Sequence, residues 1–244
     1  MGTPRHIPSP AEAATLARKW AAHFARPTAI GMTLAFVAGY VDVVGFIALF
    51  GLFTAHVTGN FVMIGVQLVA STHVGVLAKL LALPVFVIFV AAVKLIVQAF
   101  ANRDRRPLRL LLILQTLLLL GFMVIGMAAQ PIISADAPLA ILSGMFGVAA
   151  LAIQNAIGRL VLSDLAPTTI MTGNTTQIVI DMVELASGNC GDGNAAKARL
   201  RKMLPALVAF AVGAVFGGFA YHGAGFWCVL LPVALLVALA TANE

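Results

Sequence analysis

Eight apolar stretches, roughly residues 29–53, 57–71, 77–100, 108–130, 138–162, 169–187, 203–221 and 226–242, fill nearly all of this chain. About 20 consecutive apolar residues suffice for a helix to cross a bilayer. So many such runs cannot share one soluble core, and the first partner the sequence implies is the lipid bilayer. Composition agrees: of 244 residues 61% are hydrophobic and 10% charged, against roughly 45–50% and ~25% in soluble domains. A soluble globular enzyme, a disordered chain and a nucleic-acid binder are excluded, and an all-α polytopic membrane protein remains.

Two stretches are poor spans. Residues 57–71 are too few, and 169–187 contain Asp181 and Glu184. Charge placement decides whether they cross, because Lys and Arg accumulate in cytoplasmic loops. If neither crosses and the N-terminus is inside, 13 of the 15 basic residues fall on the cytoplasmic side. Outside there is only Lys79, and Lys94 snorkels from the inner end of a span. If all eight cross, the cluster from Arg103 to Arg109 moves outside and the asymmetry weakens to 9 against 5. The expectation is six transmembrane helices plus two short re-entrant or broken helices, with both termini cytoplasmic. The net charge of +6 is then explained by loops on the anionic face, not by nucleic acid.

Residues 1–27 lack the apolar core of a signal peptide. Ser9-Pro10-Ala11-Glu12 reads as a capping box, and Leu16, Trp20 and Phe24 share one face of a helix lying in the headgroup layer. The membrane part divides into repeats at 28–131 and 132–244. Cys190 and Cys228 have no metal-ligand spacing, and the six-span topology separates them across the membrane, so two free thiols are expected. No cofactor, metal site or catalytic motif is read from the chain.

The division rests on an internal repeat. His56-Val57-Thr58-Gly59-Asn60 in the first doubtful segment answers Ile170-Met171-Thr172-Gly173-Asn174 in the second, the triplets lying 114 residues apart. At that offset Gln67 meets Asp181. With one gap Asp42 meets Asn155, and after a longer loop Pro84 meets Pro205 and Phe89 meets Phe210. In the six-span topology the halves have opposite orientation. Inverted repeats with interrupted helices are a transporter architecture.

The stretch Ala38-Gly39-Tyr40-Val41-Asp42-Val43-Val44-Gly45-Phe46, the His56–Asn60 run, Gln154-Asn155-Ala156 and Thr172-Gly173-Asn174 together resemble the YoaK-like family of bacterial inner-membrane proteins. The resemblance covers about residues 30–240. It implies a small six-helix protein of the bacterial inner membrane and supplies neither a function nor site residues.

Candidate residues therefore come from their own chemistry. Gly31, Ala35, Ala38, Asp42 and Gly45 form a small-residue stripe of the kind that packs against a helix, within the chain or in a homodimer. Asp42 on that stripe is either a proton- or ion-coupling carboxylate or a structural acid. Ser143, Gly147, Ala150, Gln154 and Gly158 form a small, polar stripe on the corresponding helix of the second half, where Gln154 and the neighbouring Asn155 either bind substrate or join helices. Thr58, Gly59 and Asn60, with Thr172, Gly173 and Asn174, suit two helix starts that aim free N–H groups at a shared site. The bland alternative is two separate caps. His56 is an asymmetric proton carrier or a structural hydrogen-bonder. Asn174, Gln177, Asp181 and Glu184 share a helix face that either lines a wet cavity or is simply solvated, with Arg159 available as partner to either acid. Gly213 and Gly217 form a GxxxG packing motif. The function expected is a small transporter of a polar or anionic small molecule, proton-coupled through Asp42, His56 or Asp181. Its alternative is a channel whose two half-helices line a pore.

Overall fold

The computed structural model describes residue 24 and residues 26–69, 75–101, 107–188 and 193–243. The amphipathic helix read in the N-terminal segment, and Cys190, lie outside them. Among the described residues there is no strand. The helices are α1 (Pro27–Ala48), α2 (Gly59–Val69), α3 (Val76–Ala101), α4 (Leu108–Ala128), α5 (Pro138–Leu160), α6 (Met171–Ser187), α7 (Gly193–Ala224) and α8 (Leu230–Ala242). A 3-10 turn, Gly225–Val229, joins α7 to α8.

Among the described residues five stretches are long and apolar enough to cross a membrane: α1, α3, α4, α5 and the 50 residues from Gly193 to Ala242. Local sequence explains their limits. Pro27 and Pro138 open α1 and α5 at the first helical position, where the missing N–H would be unpaired anyway. Gly188 ends α6 in the left-handed region, φ 70°, a conformation glycine adopts at no steric cost. The long C-terminal stretch breaks at Gly225, φ 55°.

Two boundaries differ from the sequence reading. The apolar run 29–53 is cut at Ala48, because Phe50 and Gly51 have φ 53° and 80° and reverse the chain. Helix α7 begins at Gly193, ten residues before its apolar part, and carries Pro205 inside it, as α3 carries Pro84. Its first turns are amphipathic and pack on α6.

The most extensive interface is α1 with α7, and glycine creates it. A Cβ on Gly217 would lie 2.6 Å from the Tyr40 carbonyl oxygen, Gly213 abuts Phe36 O, and Gly39 abuts Phe210 O. The GxxxG motif is thus used within the chain, letting two backbones touch. Next come α4 with α5 and α3 with α5, then α6 with α7, α4 with α8, α2 with α3, and smaller contacts of α1 with α8 and α5. Exchanging α1 with α5, α2 with α6, α3 with α7 and α4 with α8 returns the same set of pairs. At the end of α1, buried Lys79 donates from Nζ to Phe50 O at 2.9 Å and Gly75 O at 3.3 Å. It thereby satisfies carbonyls of the two turns flanking α2.

Candidate functional site

After α1 and after α5 the chain turns back along the helix it has just left. Asp42 lies six residues before the end of α1, and Gln154 six before the end of α5, about 9 Å at helical rise. Both reach the returning loop. Asp42 Oδ1 accepts from Thr54 N and Ala55 N, each at 2.7 Å, and from Thr54 Oγ1 at 3.3 Å. Gln154 Nε2 donates to Thr168 Oγ1 at 3.2 Å. Thr54 and Thr168 are themselves 114 positions apart. In the first loop the carboxylate gives two backbone N–H groups partners they would otherwise lack in an apolar interior; in the second the amide meets a side-chain hydroxyl.

The asparagines of the triplets hold the same loops. Asn60 Nδ2 donates to Phe53 O and its Oδ1 accepts from Phe53 N, both at 2.9 Å. Asn174 Nδ2 donates to Pro167 O at 2.7 Å. Each partner lies seven residues upstream, and Pro167 allows only the carbonyl half because it has no N–H. The helix starts are therefore anchored by buried amides. The neighbouring Thr58 and Thr172 are exposed.

Those threonines face one cavity of about 350 Å³, lined from the first half by Ala55, His56, Val57 and Thr58 and from the second by Asn155 and Thr169 to Thr172. Leu83 and Phe86 of α3 close its apolar side. Its volume falls within the roughly 300–1,000 Å³ usual for small-molecule sites. His56 Nδ1 lies 2.6 Å from Asp42 Oδ2, and 37% of its side chain is exposed. Its ring meets Phe53 and Phe210 edge-on, with centroids 6.2 and 5.6 Å away.

The expected residues thus separate. His56, Thr58, Asn155 and Thr172 line the cavity, and Asp42 stands behind His56. Asn60 and Asn174 hold loops, while Gly59 sits where a Cβ would press at 3.0 Å on the Phe53 ring. Gly173 is exposed at the start of α6. Gln154 is fully buried and joins three helices: it donates to Leu34 O at 2.8 Å and accepts from Gln115 Nε2 at 2.8 Å. Asp181 is reached by Arg199, not Arg159. The guanidinium donates to both carboxylate oxygens, Nη2 to Oδ1 at 2.6 Å, and Gln177 Nε2 adds a bond at 2.9 Å. Arg199 and Gln177 hold the Asp181 carboxyl below its usual range, burial opposing them. This cluster ties α6 to α7 and stands apart from the cavity lining. Thr169 and Phe86 were not foreseen. The repeat offset carried over to Thr54 and Thr168 is the signal that leads to the adjacent Thr169, whereas no sequence pattern marks Phe86.

A family model described as protein of unknown function (DUF1275) matches residues 30–242. No curated protein and no solved structure matches the chain.

Proposed function

This chain belongs to the DUF1275 family, and we propose that it is a small transporter of a polar or anionic solute in the bacterial inner membrane, not an enzyme. In this reading six helices cross, the 50-residue C-terminal stretch supplying two of them through its break at Gly225. Both termini are cytoplasmic. The halves form an inverted repeat, supported by the exchangeable helix contacts and by the loop anchors repeated at one offset.

The observation that carries the reading is the single cavity bordered by both returning loops, with Thr58 on one and Thr172 on the other. Irregular backbone at membrane depth is tolerated where protein covers it or a wet cavity meets it, and here it borders such a cavity. The His56–Asp42 pair on its wall supplies a proton-binding group beside the solute. Alternating access then consists of loosening one loop anchor while the other holds.

The test is a thermal-shift screen of purified protein against small metabolites and ions, followed by uptake into proteoliposomes. Thr58→Leu and Thr172→Leu should each abolish stabilisation by, and saturable uptake of, the same compound. A ligand unaffected by both changes would place the site elsewhere, and non-saturating, voltage-dependent currents would favour the channel. Cysteine labelling should find positions 109 and 202 inside and 136 and 223 outside; 109 and 202 on opposite faces would refute the topology.

A further inference from the structure

Resting on that reading, we infer that the cavity takes a small monocarboxylate together with one proton, the two meeting at Nε2 of His56. Asp42 Oδ1 accepts three hydrogen bonds from Thr54 and Ala55, and Oδ2 is engaged by His56 Nδ1. A carboxylate so occupied is an acceptor for Nδ1–H, which fixes the tautomer and leaves Nε2 as the ring nitrogen open to a ligand. Neutral His56 presents a lone pair there. Protonated His56 presents an N–H donor with positive charge. A ligand that only accepts hydrogen bonds therefore binds when the proton does.

The surroundings select the rest of the ligand. Among the described lining residues His56 is the sole group that becomes cationic, so one anionic group is matched and a second would be buried without a partner. The Thr58 and Thr172 hydroxyls and the Asn155 amide offer further donors to a carboxylate. Leu83, Phe86, Ile170 and Met171 accept a hydrocarbon part. An ammonium ligand finds no free carboxylate, since Asp42 is already occupied. The cavity of about 350 Å³ lies at the small end of small-molecule sites.

The charged group facing His56 is Asp42 on α1. Among the described residues the other elements against it bring no titratable group: α7 contributes Phe210, the returning loop Phe53, and α3 Leu83 and Phe86. In a cycle one proton enters from water onto Nε2, one carboxylate binds to it, and both leave on the other side. The charges of the proton and the carboxylate cancel, so the net movement is electroneutral.

Titration calorimetry on the full-length protein in buffers of differing ionisation enthalpy tests this directly. The probes are propanoate, succinate, propanamide and propylammonium at pH 7.5. Propanoate should bind with uptake of up to one proton per ligand, the other three at least about tenfold more weakly. His56→Gln and His56→Asn should both lose the proton uptake and weaken propanoate about tenfold or more, with wild-type thermal unfolding in at least one of them. Propanoate binding without proton uptake, or preferred binding of propylammonium or propanamide, would overturn the monocarboxylate assignment and leave the transporter reading standing. If none of the four binds while the metabolite screen finds a ligand sensitive to Thr58→Leu and Thr172→Leu, the assignment falls alone. If no compound is sensitive to those changes, both fall.

Discussion

Replacing Asp42 by leucine and by asparagine separates its charge from its role as an acceptor. In the native chain two buried backbone N–H groups, of Thr54 and Ala55, each lie 2.7 Å from Asp42 Oδ1. Asp42→Asn keeps an acceptor in that place and loses the charge assistance, about 1 kcal/mol per bond. Asp42→Leu leaves both N–H groups buried and unpaired, at ~1–3 kcal/mol each. Both variants lose that charge assistance and the same buried charge, so both contributions cancel between them. The leucine variant should therefore be less stable than the asparagine variant by roughly 2–6 kcal/mol. Reversible unfolding in mixed micelles measures the difference, and hydrogen exchange at residues 54 and 55 locates it. Equal stabilities within about 0.5 kcal/mol, or unchanged protection of those two amides in Asp42→Leu, would refute the view that this carboxylate holds the loop.

Gly217→Val should destabilise by about 2 kcal/mol or more, because the obstacle 2.6 Å from the added Cβ is the Tyr40 backbone oxygen. Gly223→Ala, with nothing within 4 Å of its Cβ, is the control, and similar melting of the two would remove the close α1–α7 contact as a source of stability. Asn60→Leu should cost about 1–3 kcal/mol more than Asn174→Leu in chemical unfolding, since it strands both a backbone N–H and a carbonyl where Asn174→Leu strands one carbonyl; equal costs would contradict the bonding described. For Asp181 the folded carboxyl is held below its ordinary value of 3.8. Its stabilisation is thus complete above that value and fades as pH falls through the lower folded value. Asp181→Asn should narrow the stability gap to wild type in acid titrations below about pH 4, and a gap that grows with acid would reverse the assignment.

Much of the helical framework was legible because its signals are local. Apolar runs of bilayer length, Pro27 and Pro138 at helix starts, and the low polarity around 29–48 act within one segment, so they survive reading one residue at a time. The triplets at a spacing of 114 were legible too, since a repeat is a comparison of letters. What the letters lack is direction. Nothing in Thr-Gly-Asn shows that the asparagine turns inward to Phe53 or Pro167 while the threonine faces a cavity.

The sequence by itself determined that this chain belongs in a bilayer as packed helices, because transferring so many apolar side chains into lipid outweighs any local preference. Only the tertiary structure decided the partners. Arg199 rather than Arg159 meets Asp181, Gln154 is spent joining helices, Gly213 and Gly217 meet α1 of the same chain, and Phe86 closes a cavity no motif foretells. These pairings join residues distant in sequence, and their energies depend on separations of a few tenths of an ångström. Hydrogen bonds and close packing lose their strength over such distances, so composition and spacing cannot choose among partners that three-dimensional placement alone brings into reach.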